Sequence, residues 1–206
     1  MMTSSKDTKI PNLQPQNLND SSDTKQKMAE ALRILIKNKP FSKITVGDIV
    51  THCNINRNSF YYHFGNMYDL LYWTYDRSIQ KILSQYLNSS QDITHAFDCI
   101  LDYIDSEKEL CKTAYESIGE NDFKNMLEND IHKLLEAAID YSCQNTKKKI
   151  TADFKEFLIY NFTQMLGGQV IWYIKYSDNL DKPKFLEYVR ATLFNSLAAT
   201  ISAVGD

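Results

Sequence analysis

The stretch "ITVGDIVTHCNINRNSFYYHF", Ile44 to Phe64, decides the fold. It reads as two short helices around a polar turn. Thr45 stands three residues before Asp48, the spacing of a capping box, and starts a helix that runs to about Cys53. Asn54-Ile55-Asn56 is too polar and too turn-prone to continue it, and Asn54 tolerates the left-handed conformation a tight turn needs. Asn56 then caps a second helix, Arg57 to about Phe64, which Gly65 is expected to stop. Two short helices joined by a three-residue turn make a helix-turn-helix, a motif that can place its second helix in the major groove of DNA.

The angular arithmetic divides the aromatic residues of the second helix. At about 100° per residue, Phe60 and Phe64 share one face, expected to be buried with Ile49, Cys53 and Ile55. Asn58 and Tyr62 lie opposite, flanked by Ser59, Tyr61 and, near the helix start, Arg57. With His63, this outward set has the chemistry of a groove reader. Arginine pairs bidentately with guanine and asparagine with adenine, while serine and tyrosine hydroxyls bond phosphate oxygens.

Outward from this motif the chain reads as helix after helix, an all-α protein. Only six Gly and four Pro occur, and no bounded strand alternation stands out. Residues 1–22, rich in Asn, Gln, Ser and Asp, read as a disordered tail. A first helix from Asp23 or Thr24 to about Asn38 buries Met28, Ala31, Leu32 and Leu35 at i, i+3, i+4, i+7 spacing. Asn66, with Asp69 three residues on, caps a long helix to about Leu87. Further helices are expected over 92–104, 107–117, 121–144, 151–176 and 182–203. The head is thus residues 23–70, with the start of the fourth helix, and the helical body 71–206.

The last two helices carry more apolar surface than one chain can cover. Phe154, Phe157, Leu158, Phe162, Met165, Ile171 and Trp172 occupy more than one face of 151–176. Phe185, Leu186, Val189, Leu193, Leu197 and Ile201 form a stripe along 182–203. Both helices are therefore expected to build a homodimer. Gly167-Gly168, costly inside a helix, points to close approach of another helix there, or else to a kink beside a ligand.

Bulk properties narrow the function classes. From Thr24 to Leu87 there are nine Lys/Arg against four acids; from Asn88 to Asp206 there are twelve against nineteen. A basic head on an acidic body suggests an anionic partner at one end. No apolar run is long enough to span a membrane, and the N-terminus lacks a signal-peptide pattern, so a cytoplasmic location is expected. Cys53, Cys99, Cys111 and Cys143 are widely spaced with no metal-ligand pattern, and read as small buried apolar residues. No nucleophile elbow, phosphate-cradling loop or HExxH is present, so neither an enzyme nor a cofactor or metal site is expected. His52, His95 and His132 read as surface or half-buried side chains, and Asp102-Asp105-Glu109 as a solvated acidic face.

Ile44 to Leu71 resembles the helix-turn-helix signature of the TetR family of bacterial transcription regulators, loosely T-x-x-x-I-A-x-x-A-G-V-S-x-G-T-[LF]-Y-x-[HY]-F-x-x-K-x-[ED]-L. Thr45, Ile49, Ile55, Ser59, Phe60, Tyr61, His63, Phe64, Asp69 and Leu70 match. The resemblance is strong from Thr24 to Tyr75; beyond that, only length and helical organisation agree. "FYYHF" and "DLLYWTY" more narrowly resemble the branch near the dihydroxyacetone-kinase regulator.

The resemblance implies a head that binds a double-stranded DNA operator and a dimeric helical body that often encloses an effector. It implies DNA contacts from Thr45, Asn56, Arg57, Asn58, Ser59, Tyr61, Tyr62 and His63, with Arg57, Asn58 and Tyr62 setting sequence preference. Candidate residues for lining an effector site are Trp73, Phe97, Tyr103, Tyr115, Phe162, Met165 and Trp172. Three departures bear on binding strength: Asn54 replaces the turn glycine, Met67 the usual lysine, and Gly47 stands where some members touch a base. The implied function is a ligand-responsive repressor, with the fourth helix carrying movement from body to head. The alternative is an interaction module or co-activator, controlled by a protein partner with little direct DNA binding.

Overall fold

Polar residues punctuate this chain into ten α-helices, with no strand among the described residues. The computed structural model describes residues 18–87 and 93–205. The order is α1 (Leu18–Ile36), α2 (Val46–Cys53), α3 (Arg57–His63), α4 (Met67–Leu87), α5 (Ile93–Ser106), α6 (Lys108–Ile118), α7 (Glu120–Thr146), α8 (Ala152–Tyr176), α9 (Lys182–Val189) and α10 (Asn195–Val204). The helix α1 begins before the expected Asp23 or Thr24. The rest of the expected tail, residues 1–17, lies outside the described residues. No helix among the described residues is long and apolar enough to cross a membrane.

Caps set the head. Thr45 Oγ1 accepts the Asp48 N–H at 3.2 Å, and Asp48 Oδ2 accepts the Thr45 N–H at 2.7 Å, closing the box that starts α2. Asn54 ends α2 in the left-handed region, at φ 53° and ψ 47°. There a Cβ-bearing residue costs about 1–2 kcal/mol, and asparagine is one of the few that visit it. Gly65 behaves differently from expectation. Helix α3 stops at His63, with Phe64 extended at φ −138°. The role of Gly65 is close approach: its N–H reaches Asp69 Oδ2 at 3.0 Å, and a Cβ there would lie 2.9 Å from that oxygen. Asn66 caps α4 by accepting the N–H groups of Tyr68 and Asp69 at 2.8 and 3.0 Å.

One continuous core runs through both parts. Met28, Leu32, Ile49, Phe60, Phe64, Leu70 and Leu71 are buried in the head. Further along α4, Tyr75, Ile79, Leu83 and Tyr86 are buried against the body. The same rod therefore carries the apolar contacts of both ends. Gly119, at φ 99°, makes the turn from α6 to α7 that a side chain would resist.

The final helix departs from its expected single run over 182–203. A π-helical turn, Arg190–Phe194, joins α9 to α10. The buried stripe Phe185, Val189, Leu193, Leu197 and Ile201 repeats every four residues, which would drift about 40° per step around an ideal α-helix. The wider turn takes back that drift and keeps the stripe on the core. This stripe is buried within its own chain, so of the two helical runs expected to pair, α8 carries the broader exposed aromatic face among the described residues. Of the cysteines only Cys111 is fully buried; Cys53, Cys99 and Cys143 are half-buried, and all four are free. His52, His95 and His132 are exposed.

Candidate nucleic-acid interface

Helix α3 separates its aromatic rings as its periodicity requires. Phe60 is fully buried, with the Phe64 ring 5.9 Å from it, centroid to centroid. Tyr61 and Tyr62 are 54 % and 74 % exposed. Arg57 and Asn58 are exposed beside them, and Ser59 is half-buried. Tyr61 also leans edge-on against Phe60, at 5.4 Å, so the core steadies a ring whose hydroxyl faces out.

Two capping residues have their side chains engaged. Asn56 Oδ1 accepts the Ser59 N–H at 2.8 Å and the Ser59 hydroxyl at 3.2 Å. The Thr45 hydroxyl donates to Asp48 Oδ2 at 2.8 Å while accepting the Asp48 N–H. Neither oxygen is idle, so what these residues can offer a phosphate is chiefly the helix starts they hold open. Lys39 Nζ stands 2.9 Å from Asp48 Oδ2. Its ammonium, with the Thr45 N–H and hydroxyl, holds the Asp48 carboxyl down to about 2.

Gly47 gains a local meaning that the sequence does not announce. A Cβ there would sit 3.3 Å from Arg57 Nη2 and from Thr45 Oγ1. The missing side chain lets the Arg57 guanidinium lie across the start of α2. His63 lies apart from the outward set. Its ring packs edge-on to Tyr62 at 4.9 Å and lines a cleft of about 680 Å³ between head and body, with Lys25, Phe64, Tyr72, Trp73 and Ile118. Burial, then the nearby Lys25 charge, pushes its imidazole pKa down. Elsewhere in the head, Lys27, Lys37 and Lys43 are exposed.

The seven candidate effector residues do not converge. Phe97 and Phe162 are buried, and Phe97 meets Phe194 edge-on at 5.8 Å. Tyr115 packs on Phe123 at 5.6 Å. Met165 and Trp172 are exposed on α8. Trp73 and Tyr103 do share an opening, a groove of about 960 Å³ between α1, α4 and the end of α5, whose wall also includes Arg33, Arg77 and Glu107. Among the described residues no cluster of His, Cys, Asp or Glu could hold a metal ion.

The acidic face is not merely solvated. Tyr173 Oη donates to Asp105, at 2.9 and 3.0 Å from its two oxygens, and Lys182 Nζ bridges Asp102 and Asp105 at 2.7 and 2.5 Å. Burial and then Asp105 raise the Tyr173 hydroxyl pKa. Sequence periodicity on one helix cannot reveal these partners, because they lie some seventy or eighty residues away.

A family model described as bacterial regulatory proteins, tetR family, matches residues 29–72, and one described as transcriptional regulator C-terminal region matches residues 91–194. Nothing matches among curated protein sequences. Among solved structures, the dihydroxyacetone kinase operon activator DhaS is similar in fold, with a TM-score of 0.64 at 19 % identity over 89 % of this chain and 98 % of that one. A TetR transcriptional regulator from Streptococcus agalactiae gives 0.52 at 20 % identity, over 85 % and 96 %. A tetR-family regulator from Streptomyces coelicolor gives 0.55 at 10 % identity, over 87 % and 81 %. With the head under one family model and most of the body under the other, the chain belongs to the TetR family of bacterial transcription regulators.

Proposed function

We propose that this DNA-binding transcriptional regulator is a homodimeric, ligand-responsive repressor that reads its operator with α3. The observation that carries the reading is the outward polar edge of that helix, Arg57, Asn58, Tyr61 and Tyr62, standing on a buried Phe60. Arg57, Asn58 and Tyr62 set the base preference, Ser59 and Tyr61 hold the backbone, and the capped start of α2 faces a phosphate. Thr45 and Asn56 support these contacts by shaping the two helix ends, and His63 adds a hydrogen bond from the cleft side. The interaction-module alternative has no comparable support.

Dimerisation through α8 fits its exposed face. Phe157 and Tyr160 are 60 % and 64 % exposed, and Met165, Trp172 and Tyr176 continue the same side. Gly168 lies among them, and apart from its chain neighbours and the backbone of its own helix, nothing among the described residues comes within 4 Å of where a Cβ would be. A second copy could cross closely there. An effector seated in the groove beside Trp73 and Tyr103 would bear directly on α4, and so on the separation of the two heads.

The test is a pair of substitutions on one face. Tyr61→Ala should weaken binding to all sequences alike, whereas Arg57→Ala should also relax choice at one base pair, by about 1–3 kcal/mol. Selection from random duplexes followed by affinity measurement checks both. Undiminished affinity in both variants would reject this docking face.

A further inference from the structure

Arg33 lies outside the reading edge, yet it is the most heavily engaged cation of the head. Its side chain is 12 % exposed. From α1, Nη2 donates to the Thr74 carbonyl at 3.2 Å and to the Ser78 hydroxyl at 2.5 Å, both on α4. Nε faces Glu107 Oε1 at 3.8 Å, where α5 gives way to α6. Among the described residues this is the one ion pair that joins α1 to the helices beyond α4. A half-buried guanidinium fork held by two elements fixes an angle, because its donors are planar and rigid.

The other side of the same junction is held by the C-terminal helices. Asp105, two residues before Glu107, takes Tyr173 of α8 and Lys182 of α9. Lys108, the residue after Glu107, pairs with Asp178 between those helices, and Lys112 reaches the same carboxylate at 2.6 Å. Residues 102–112 are thus gripped from the proposed dimer side by Tyr173, Asp178 and Lys182, and from the head side by Arg33. Helix α4 is therefore not the sole connection between body and head.

We infer that Arg33 is a positioning residue, whose grip on Glu107 and on the Thr74–Ser78 turn sets the head's angle and hence the spacing of operator half-sites the dimer accepts. This rests on the regulator reading above. Half-site spacing mirrors the geometry of paired reading helices, so a head free to swivel tolerates more spacings. The effect differs from loss of contact, since the α3 edge itself is untouched.

The experiment uses the full-length dimer and duplexes that carry two half-sites, selected with the unmodified protein, moved apart in single base-pair steps. A lone half-site is the control. The unmodified protein should prefer one spacing by about tenfold over its neighbours. Glu107→Gln and Arg33→Gln should reduce that preference to about threefold or less, with lone half-site affinity within about twofold of normal. Glu107→Gln is near-isosteric and keeps the test valid should Arg33→Gln fold poorly. Unchanged spacing preference in the variants, or equal weakening at every spacing and at the lone half-site, would overturn the inference. Failure of the unmodified protein to bind any duplex would instead remove the regulator reading on which it stands.

Discussion

Phe60→Ala should unfold the head, costing about 3–5 kcal/mol as a truncated core aromatic. The ring is fully buried and sits between Phe64 and Tyr61, at centroid distances of 5.9 and 5.4 Å. Its removal takes away the surface on which α3 rests, and a seven-residue helix has no independent stability in water. Chemical denaturation should show an early transition for the head, with most helical signal from the body surviving it. DNA binding should vanish although no outward side chain has changed. A variant that denatures like the unmodified protein would mean that α3 does not depend on this core.

Gly168→Arg should break the dimer while leaving each protomer folded. Beyond its chain neighbours and the backbone of its own helix, nothing among the described residues lies within 4 Å of a Cβ built at Gly168, so the arginine has room in one copy. Replacing a helix-interior glycine also removes a penalty of about 1 kcal/mol. If two copies cross at that point as proposed, an arginine would hold them apart and set its charge among the exposed Phe157, Tyr160 and Trp172. Sedimentation at micromolar concentration should show monomers, with the thermal midpoint unchanged or slightly raised. Operator affinity should fall by about a hundredfold or more, because two heads no longer act as one ligand. A variant that remains dimeric would place the interface elsewhere.

Local signals make the head readable from its sequence. Thr45 with Asp48, Asn54, and Asn56 are short-range devices whose effect is felt within four residues, so their spacing alone marks the ends of α2 and α3. The split between Phe60 and Tyr62 follows from helical periodicity, which the structure keeps. Gly65 shows the limit of residue-type rules: it permits a carboxylate to approach rather than a left-handed turn. The stripe on the last helix was legible as apolar, but not as belonging to its own core, since that depends on how a π turn rotates it.

What escaped the sequence is long-range and polar. Nothing in the local sequence announces that Arg33, rather than Lys37 one turn on, is the cation bonded to α4 and paired with Glu107 at the α5–α6 junction. Asp105 looked like one of several solvated acids until Tyr173 and Lys182 were brought to it. Gly47 acquires its purpose only when Arg57 is laid across it. The seven aromatic and sulfur side chains proposed for an effector are alike in composition, and tertiary packing alone distributes them among core, cleft and outer face.

DNA contact through α3 is tested most directly by the salt dependence of binding. DNA from around the protein's own gene should be bound at about 50 mM salt, with the logarithm of affinity falling linearly against that of salt. A dimer making roughly six to ten phosphate contacts should lose about 10³–10⁵ in affinity by about 200 mM. Absence of binding to every such fragment at low salt, or an affinity indifferent to salt, would contradict it.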